Sequence, residues 1–167
     1  VIPHEVNHTI LACYFRRPVP RWADEGAASL FEHDSEIKKQ QDLANQLVQG
    51  GRRIPLRVLL DMKEYPTDMQ QTLALYAEGY SLTNFLVQTK GRSAFLRFLN
   101  DAQHQGWDAA LRTFYGKQNI ETLERDFGVP VVHAVAAKAW EIQKRLNVFA
   151  PRQGYGRLIA ELPEMPG

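Results

Sequence analysis

The sequence predicts a mainly α-helical domain. Segments with helical character follow one another along the chain, glycines separate several of them, and little strand signal appears anywhere. The predicted helices lie near residues 3–14, 21–33, 35–49, 67–89, 92–104, 107–115, 119–127 and 132–147. With 167 residues and 44% hydrophobic content, the chain is large enough to bury a core. We assign residues 1–150 to one helical domain and the Pro- and Gly-rich residues 151–167 to a tail or linker.

The first two helices are predicted to lie antiparallel. Pro3 suits the first position of a helix, where the N–H that proline lacks has no partner in any case. Two arginines and two prolines within residues 16–20 form a compact turn, so the helix at 21–33 returns alongside the first. Apolar packing along the first helix is expected from Ile2, Ile10 and Leu11.

Capping residues and glycines set the boundaries of the later helices. Thr67 and Gln70 form a capping box that opens the long helix at 67–89, and Asn119 caps the helix at 119–127. The helix at 35–49 ends at two successive glycines. The inner stripe of the long helix is predicted to contain Leu73, Tyr76, Tyr80, Leu82, Phe85 and Leu86.

Charge and hydropathy weigh against two classes of partner. A net charge of +1 with interspersed charges gives no signal for nucleic acid or for a membrane surface. No run of about 18 apolar residues is present, so no membrane-spanning helix is predicted. The lone Cys13 excludes an internal disulfide, and its place on an apolar helix predicts a core position.

The segment His4-Glu5-Val6-Asn7-His8 has the H-E-x-x-H spacing of a zinc-binding helix. Residues four apart project from one face of a helix, so both imidazoles can reach one Zn²⁺ ion. Glu5 lies on the flank of that face, where a carboxylate can accept a proton from zinc-bound water. The alternative is a helix with two solvated or core-bonded histidines. We assign structural or solvated roles to the other histidines, His33, His104 and His133.

Catalytic zinc requires three protein ligands and an open position for water. Because the second helix returns alongside the first, Glu25 is the natural third ligand, and its alternative is an exposed helix carboxylate. A metzincin arrangement fails, since Leu11 and Tyr14 stand where that class has Gly and His. Asp24 and, more weakly, Ser29 are candidates to hydrogen-bond the metal ligands without binding the metal themselves.

A resemblance to a known family is carried by Trp22-Ala23-Asp24-Glu25-Gly26-Ala27-Ala28. This segment resembles the W-x-x-E-G-x-A segment that carries the glutamate ligand in gluzincins of the aminopeptidase-like clan. Together with Pro3-His4-Glu5, it also resembles bacterial peptidase-MA-like domains, many of which have no known function. The similarity extends over roughly residues 1–127 and becomes diffuse after the zinc motif.

The resemblance implies that His4, His8 and Glu25 hold Zn²⁺ and that Glu5 is the general base. It also implies that the chain is the helical lobe of a thermolysin-like gluzincin domain. In such enzymes a β-sheet lobe precedes the zinc helix, and that lobe is absent from this sequence. We therefore expect the chain to be cut from, or fused to, a larger protein.

A second, looser similarity involves Tyr76-Ala77-Glu78-Gly79. This segment is similar to the Y-E-K-G segment of the same clan, whose tyrosine donates a hydrogen bond to the tetrahedral oxyanion. It departs from that pattern at Ala77 and Glu78. Tyr80, one turn farther along the helix, is the alternative oxyanion donor, and either tyrosine is otherwise an amphipathic core residue.

The expected function is that of a zinc-dependent metallopeptidase, with endopeptidase action preferred. Its substrate would be a peptide or protein, cleaved by Glu5-assisted attack of a zinc-bound water. One alternative is a catalytically degenerate peptidase-like domain used for protein binding. Another is a helical interaction module with a coincidental motif. Cellular location is left open, with an extracytoplasmic site in a bacterium as one alternative.

Overall fold

The computed structural model describes residues 2–128, which are mainly α-helical and contain no strand. The helices are α1 Ile2–Phe15, α2 Arg21–Ser29, α3 Asp34–Gln49, α4 Leu56–Asp61, α5 Met69–Lys90, α6 Arg92–Gln105, α7 Trp107–Tyr115 and α8 Ile120–Gly128. The predicted mainly α class is therefore confirmed. The predicted helix at 132–147, His133 and the tail at 151–167 lie outside the described residues.

Several helix boundaries differ from the sequence prediction. Helix α2 ends at Ser29, before the predicted 33, because His33 instead caps α3 by accepting the Ser35 N–H on its Nδ1 at 3.3 Å. The capping box at Thr67 was wrong. Asp68 is the N-cap of α5, and its carboxylate accepts the Gln71 N–H at 3.0 Å.

The local sequence predicted the N-cap of α8 but not the short helix α4. The N-cap at Asn119 is confirmed, since its Oδ1 accepts the Thr122 N–H at 2.9 Å. Helix α4 was not predicted, because six residues are too few to show a helical period. The first N–H groups of a helix have no partner within it. At the start of α4, the Leu56 N–H donates a hydrogen bond to the Glu124 carboxylate on α8 at 3.0 Å.

The core forms around α5, which packs against α2, α3 and α6. Helices α2 and α5 approach closely at Gly26 and Gly79, where a Cβ at position 26 would overlap the Gly79 carbonyl and the Thr83 hydroxyl. The indole of Trp22 on α2 is fully buried and contacts the aromatic rings of Phe95 on α6 and Trp107 on α7. This packing fixes the face of α2 that carries Glu25.

Helix α1 is more exposed than the sequence predicted. It packs chiefly against α2 and buries only Leu11 and Phe15. Cys13 is exposed, so its predicted core position was wrong, and Ile2 and Ile10 are exposed as well. Because α2 is the chief neighbour of α1 among the described helices, only a narrow side of α1 is covered.

The predicted inner stripe of α5 is confirmed in part. Tyr80, Leu82 and Leu86 are buried, whereas Tyr76 and Phe85 are half-buried. Leu73 is exposed, so its assignment to the stripe was wrong. Among residues 2–128, no helix combines the length and apolar character needed to cross a bilayer.

Candidate metal centre

His4 and His8 lie one turn apart on the same side of α1. Their ring centroids are 4.8 Å apart, and the two ring planes are inclined by 78°. Both side chains are largely covered, with 15% and 24% of their surface exposed. The four-residue spacing thus brings the two imidazoles together, as the H-E-x-x-H pattern predicts.

Glu25 on α2 faces these two imidazoles. Its Oε2 lies 3.5 Å from His4 Nε2 and 3.8 Å from His8 Nε2. The side chain is 3% exposed, so the alternative of a solvated helix carboxylate is wrong. The antiparallel return of α2 begins at Arg16, whose left-handed backbone (φ 54°) ends α1. The predicted ligands therefore converge, with one donor atom from each residue within 4.8 Å of the others.

Each of the two imidazoles also contacts a carboxylate other than that of Glu25. His8 Nδ1 is 2.8 Å from Asp24 Oδ1, and because a carboxylate only accepts, Nδ1 carries the proton. The Nε2 lone pair of His8 is then free for a metal ion. Asp24 thus occupies the supporting position that the sequence suggested.

His4 has a supporting carboxylate that sequence reasoning missed. Its Nδ1 lies 2.9 Å from Glu32 Oε1, which is ion-pair distance without hydrogen-bond alignment. Glu32 lies in the turn after α2. Because the sequence does not show where such a turn places its side chains, no sequence pattern pointed to this contact with His4. Ser29 is buried in α2 and makes no hydrogen bond to the three predicted ligands, unlike Asp24, which hydrogen-bonds His8.

Charges around His8 alter its proton affinity. Burial acts to lower the pKa of His8, but the hydrogen bond to Asp24 and the charges of Asp24, Glu25 and Glu5 outweigh it. The net pKa of His8 is raised. A site that raises the pKa of an imidazole in this way is rich in negative charge, which also favours a cation.

The second carboxylate oxygen of Glu25 is held by Tyr65, another residue that sequence reasoning missed. The Tyr65 hydroxyl donates a hydrogen bond to Glu25 Oε1, although 41% of the Tyr65 residue is exposed. In contrast, Glu25 Oε2 is buried and has no hydrogen-bond partner among residues 2–128. Tyr65 precedes Pro66 in the connection between α4 and α5, where no helical period marks it.

The two candidate oxyanion donors lie in different surroundings. The Tyr76 ring stacks on the Tyr65 ring, with centroids 6.4 Å apart and planes inclined by 26°. Burial and the Glu25 charge raise the pKa of Tyr76. The Tyr80 hydroxyl accepts a hydrogen bond from Gln41 on α3 at 3.2 Å, and it therefore belongs to the α3–α5 contact.

Glu5, the candidate base, is exposed on α1 between the two histidines. Within residues 2–128 its carboxylate makes no hydrogen bond and is free to accept a proton. It is close enough for its charge to raise the pKa values of both His8 and Tyr76. The sequence-predicted base thus borders the cluster on the side of α1.

The donor types are those of a zinc site, and their spacing is somewhat wider than a bound zinc ion requires. Two ligand atoms at zinc bond distances of about 2.0–2.1 Å in a tetrahedron are about 3.3 Å apart. The separations of 3.5 and 3.8 Å from Glu25 Oε2 to the two imidazoles need a few tenths of an ångström of contraction. The largest separation in the cluster, 4.8 Å, would have to close by about 1.5 Å, which a rotation of the two imidazoles on α1 could supply. A buried carboxylate oxygen without a partner is also what a bound cation would satisfy.

No protein-family model matches the sequence, and no curated protein or solved structure is significantly similar to it. The assignment of this centre therefore depends on its own geometry and chemistry.

Proposed function

We propose that the protein is a zinc-dependent metallopeptidase whose metal is held by His4, His8 and Glu25. The observation that carries the proposal is the convergence of three ligand atoms from two helices to within 4.8 Å. Two imidazoles and one carboxylate form the ligand set of many catalytic zinc sites, which keep a fourth position open. On this proposal, residues 2–128 correspond to the helical lobe of a thermolysin-like gluzincin.

The position of Glu5 supports its role as general base. When bound, Zn²⁺ would lower the pKa of a coordinated water and polarise the scissile carbonyl of a peptide. Glu5 follows His4 directly, and its exposed carboxylate accepts the proton of the attacking water. The same carboxyl group then donates that proton to the leaving amine.

Tyr76 is proposed as the donor to the oxyanion. A phenol is protonated at neutral pH, as a donor requires, and the Tyr76 ring lies against Tyr65, which hydrogen-bonds Glu25. Tyr80 is the weaker candidate, because its hydroxyl is engaged by Gln41.

The test separates metal binding from hydrolysis. Glu5→Gln removes the base without removing a ligand, so the variant should retain one zinc per chain and lose hydrolysis by at least about 100-fold. Zinc content is measured by atomic emission, and hydrolysis by mass spectrometry of a peptide mixture. The matched control is Glu36→Gln, which changes an exposed carboxylate on α3 that pairs with Lys39.

Three outcomes distinguish the alternatives. Loss of hydrolysis in Glu5→Gln alone supports the peptidase. Zinc-loaded wild-type protein that cleaves no peptide contradicts catalysis and favours a degenerate, protein-binding domain. Purified protein that takes up no zinc contradicts the metal centre itself and leaves the helical interaction module.

A further inference from the structure

We propose that Tyr65 is a positioning residue that makes Glu25 bind the metal through a single oxygen. The inference depends on the metal centre proposed above and adds a role for the connection between α4 and α5. Its basis is that the two oxygens of Glu25 have different surroundings. The Tyr65 hydroxyl donates a hydrogen bond to Oε1, whereas Oε2 faces both imidazoles and has no hydrogen-bond partner in the part of the chain that the structure describes.

Tyr65 is held by two side chains from one face of α2. Arg21 and Glu25 are four residues apart and therefore neighbours on the helix surface. The Arg21 guanidinium lies over the Tyr65 ring, 4.6 Å from its centroid, while Glu25 accepts the hydrogen bond from its hydroxyl. The Tyr65 ring also stacks on the ring of Tyr76 on α5. The phenol thus has contacts at its hydroxyl and with two other side chains.

The backbone around Tyr65 is also tied to the neighbouring helices. The Arg21 N–H donates to the Met62 carbonyl at 3.1 Å, and Arg21 Nε donates to the Lys63 carbonyl at 3.2 Å. On the other side, the Thr72 hydroxyl donates to the Pro66 carbonyl at 3.0 Å. These bonds join the Tyr65 segment to the start of the ligand-bearing helix and to α5. Motion of the segment is therefore restrained at both ends.

The hydrogen bond to Oε1 has a consequence for coordination. A carboxylate can bind a metal ion through one oxygen or through both. If Glu25 rotated to present both oxygens to the ion, it would give up the Tyr65 bond at a buried site. Single-oxygen binding through Oε2 keeps that bond. It also leaves a coordination position for water or substrate, which catalytic zinc requires.

The experiment compares Tyr65→Phe with Tyr14→Phe in the full 167-residue chain. Tyr14 is an exposed tyrosine on α1 with a ring contact to Phe15, so its substitution removes a phenolic oxygen away from Glu25. Zinc affinity is measured by competition with a chromophoric chelator. The number of zinc ligands is measured by X-ray absorption spectroscopy, and the thermal midpoint of metal-free protein by circular dichroism.

Loss of the Tyr65 hydroxyl should weaken zinc affinity by about 10–100-fold, the usual effect of removing a partner of a metal ligand. The absorption spectrum should gain a second, longer zinc–oxygen distance as Glu25 turns to use both oxygens. A merely structural role of Tyr65 would lower the thermal midpoint of metal-free protein and leave the ligand number unchanged, which overturns the inference. Tyr14→Phe should match wild type in all three measurements.

Glu25→Gln separates this inference from the proposed function. If Glu25→Gln and wild type bind zinc equally, the metal centre is refuted and the role of Tyr65 falls with it. If Glu25→Gln loses zinc while Tyr65→Phe keeps wild-type affinity and ligand number, only the role of Tyr65 is refuted.

Discussion

Replacing Glu25 by glutamine should leave the metal-free protein at least as stable as wild type and should remove most of the stability that zinc adds. In metal-free protein the buried carboxylate has one oxygen without a hydrogen-bond partner, beside two imidazoles. An amide of the same shape keeps an acceptor for Tyr65 and adds a donor for an imidazole Nε2. The substitution therefore removes a buried charge at little cost in packing. It also removes the charged ligand of the proposed zinc site.

The magnitude follows from these contacts. A buried polar group without a partner costs about 1–3 kcal/mol, so metal-free Glu25→Gln should be as stable as wild type or more stable by up to that amount. Zinc at about 100 times its dissociation constant adds about 2.7 kcal/mol to wild type. For a domain of this size, that is a rise of about 10 °C in the thermal midpoint. If affinity falls about 100-fold in the variant, the zinc contribution drops to about 0.4 kcal/mol.

The assay is calorimetric unfolding at about pH 8, above the usual pKa of an imidazole, first with a chelator and then with zinc. Glu36→Gln is the control, because its exposed ion pair with Lys39 is worth at most about 0.5 kcal/mol and lies on α3. It should keep the full zinc-induced rise. A Glu25→Gln variant that unfolds earlier in chelator and still gains about 10 °C with zinc refutes the reasoning.

Two further predictions concern α5. Burial raises the pKa of Glu78 from 4.5 to about 7, against the opposing hydrogen bond from the Ile54 N–H and the charge of Arg53. The stabilising contribution of Glu78 is therefore present below pH 4.5 and lost as pH rises through about 7. Urea unfolding of Glu78→Gln at several pH values should show about 3 kcal/mol less change in the free energy of unfolding over this range. An unchanged dependence of that free energy on pH contradicts the prediction. Tyr76→Phe should lower kcat by about 10²–10³ with KM nearly unchanged, whereas Tyr80→Phe should leave kcat as it is. The reverse pattern would place the oxyanion donor one turn along the helix.

The site residues that the sequence predicted are those related by short-range geometry. His4 and His8 share one helix, and their spacing alone places both imidazoles on the same side. Glu25 follows from a compact turn that returns α2 along α1. Asp24 is adjacent to that ligand and hydrogen-bonds His8. For these residues, local periodicity and one reversal of the chain are sufficient.

The residues that were missed depend on packing between distant segments. Tyr65 reaches Glu25 from 40 residues away, from a connection with no helical period. Glu32 contacts His4 only because α2 ends at Ser29 and the chain turns there. Cys13 was misassigned for the opposite reason. Apolar neighbours identify a helix that packs, but they do not reveal which side is covered.

Because α1 buries few side chains, a metal ion bound at the candidate centre would contribute much of what holds α1 to the rest of the fold. Only two of the 14 residues of α1 are buried, whereas α5 buries nine of its 22. Helices with few buried side chains open locally at low free-energy cost, and their amide hydrogens exchange early. An ion shared by His4, His8 and Glu25 would tie α1 to α2 across the contact that is its chief packing surface. Metal loading would then slow amide exchange in α1 far more than in α5, and metal loss would free the helix that carries Glu5, the proposed base.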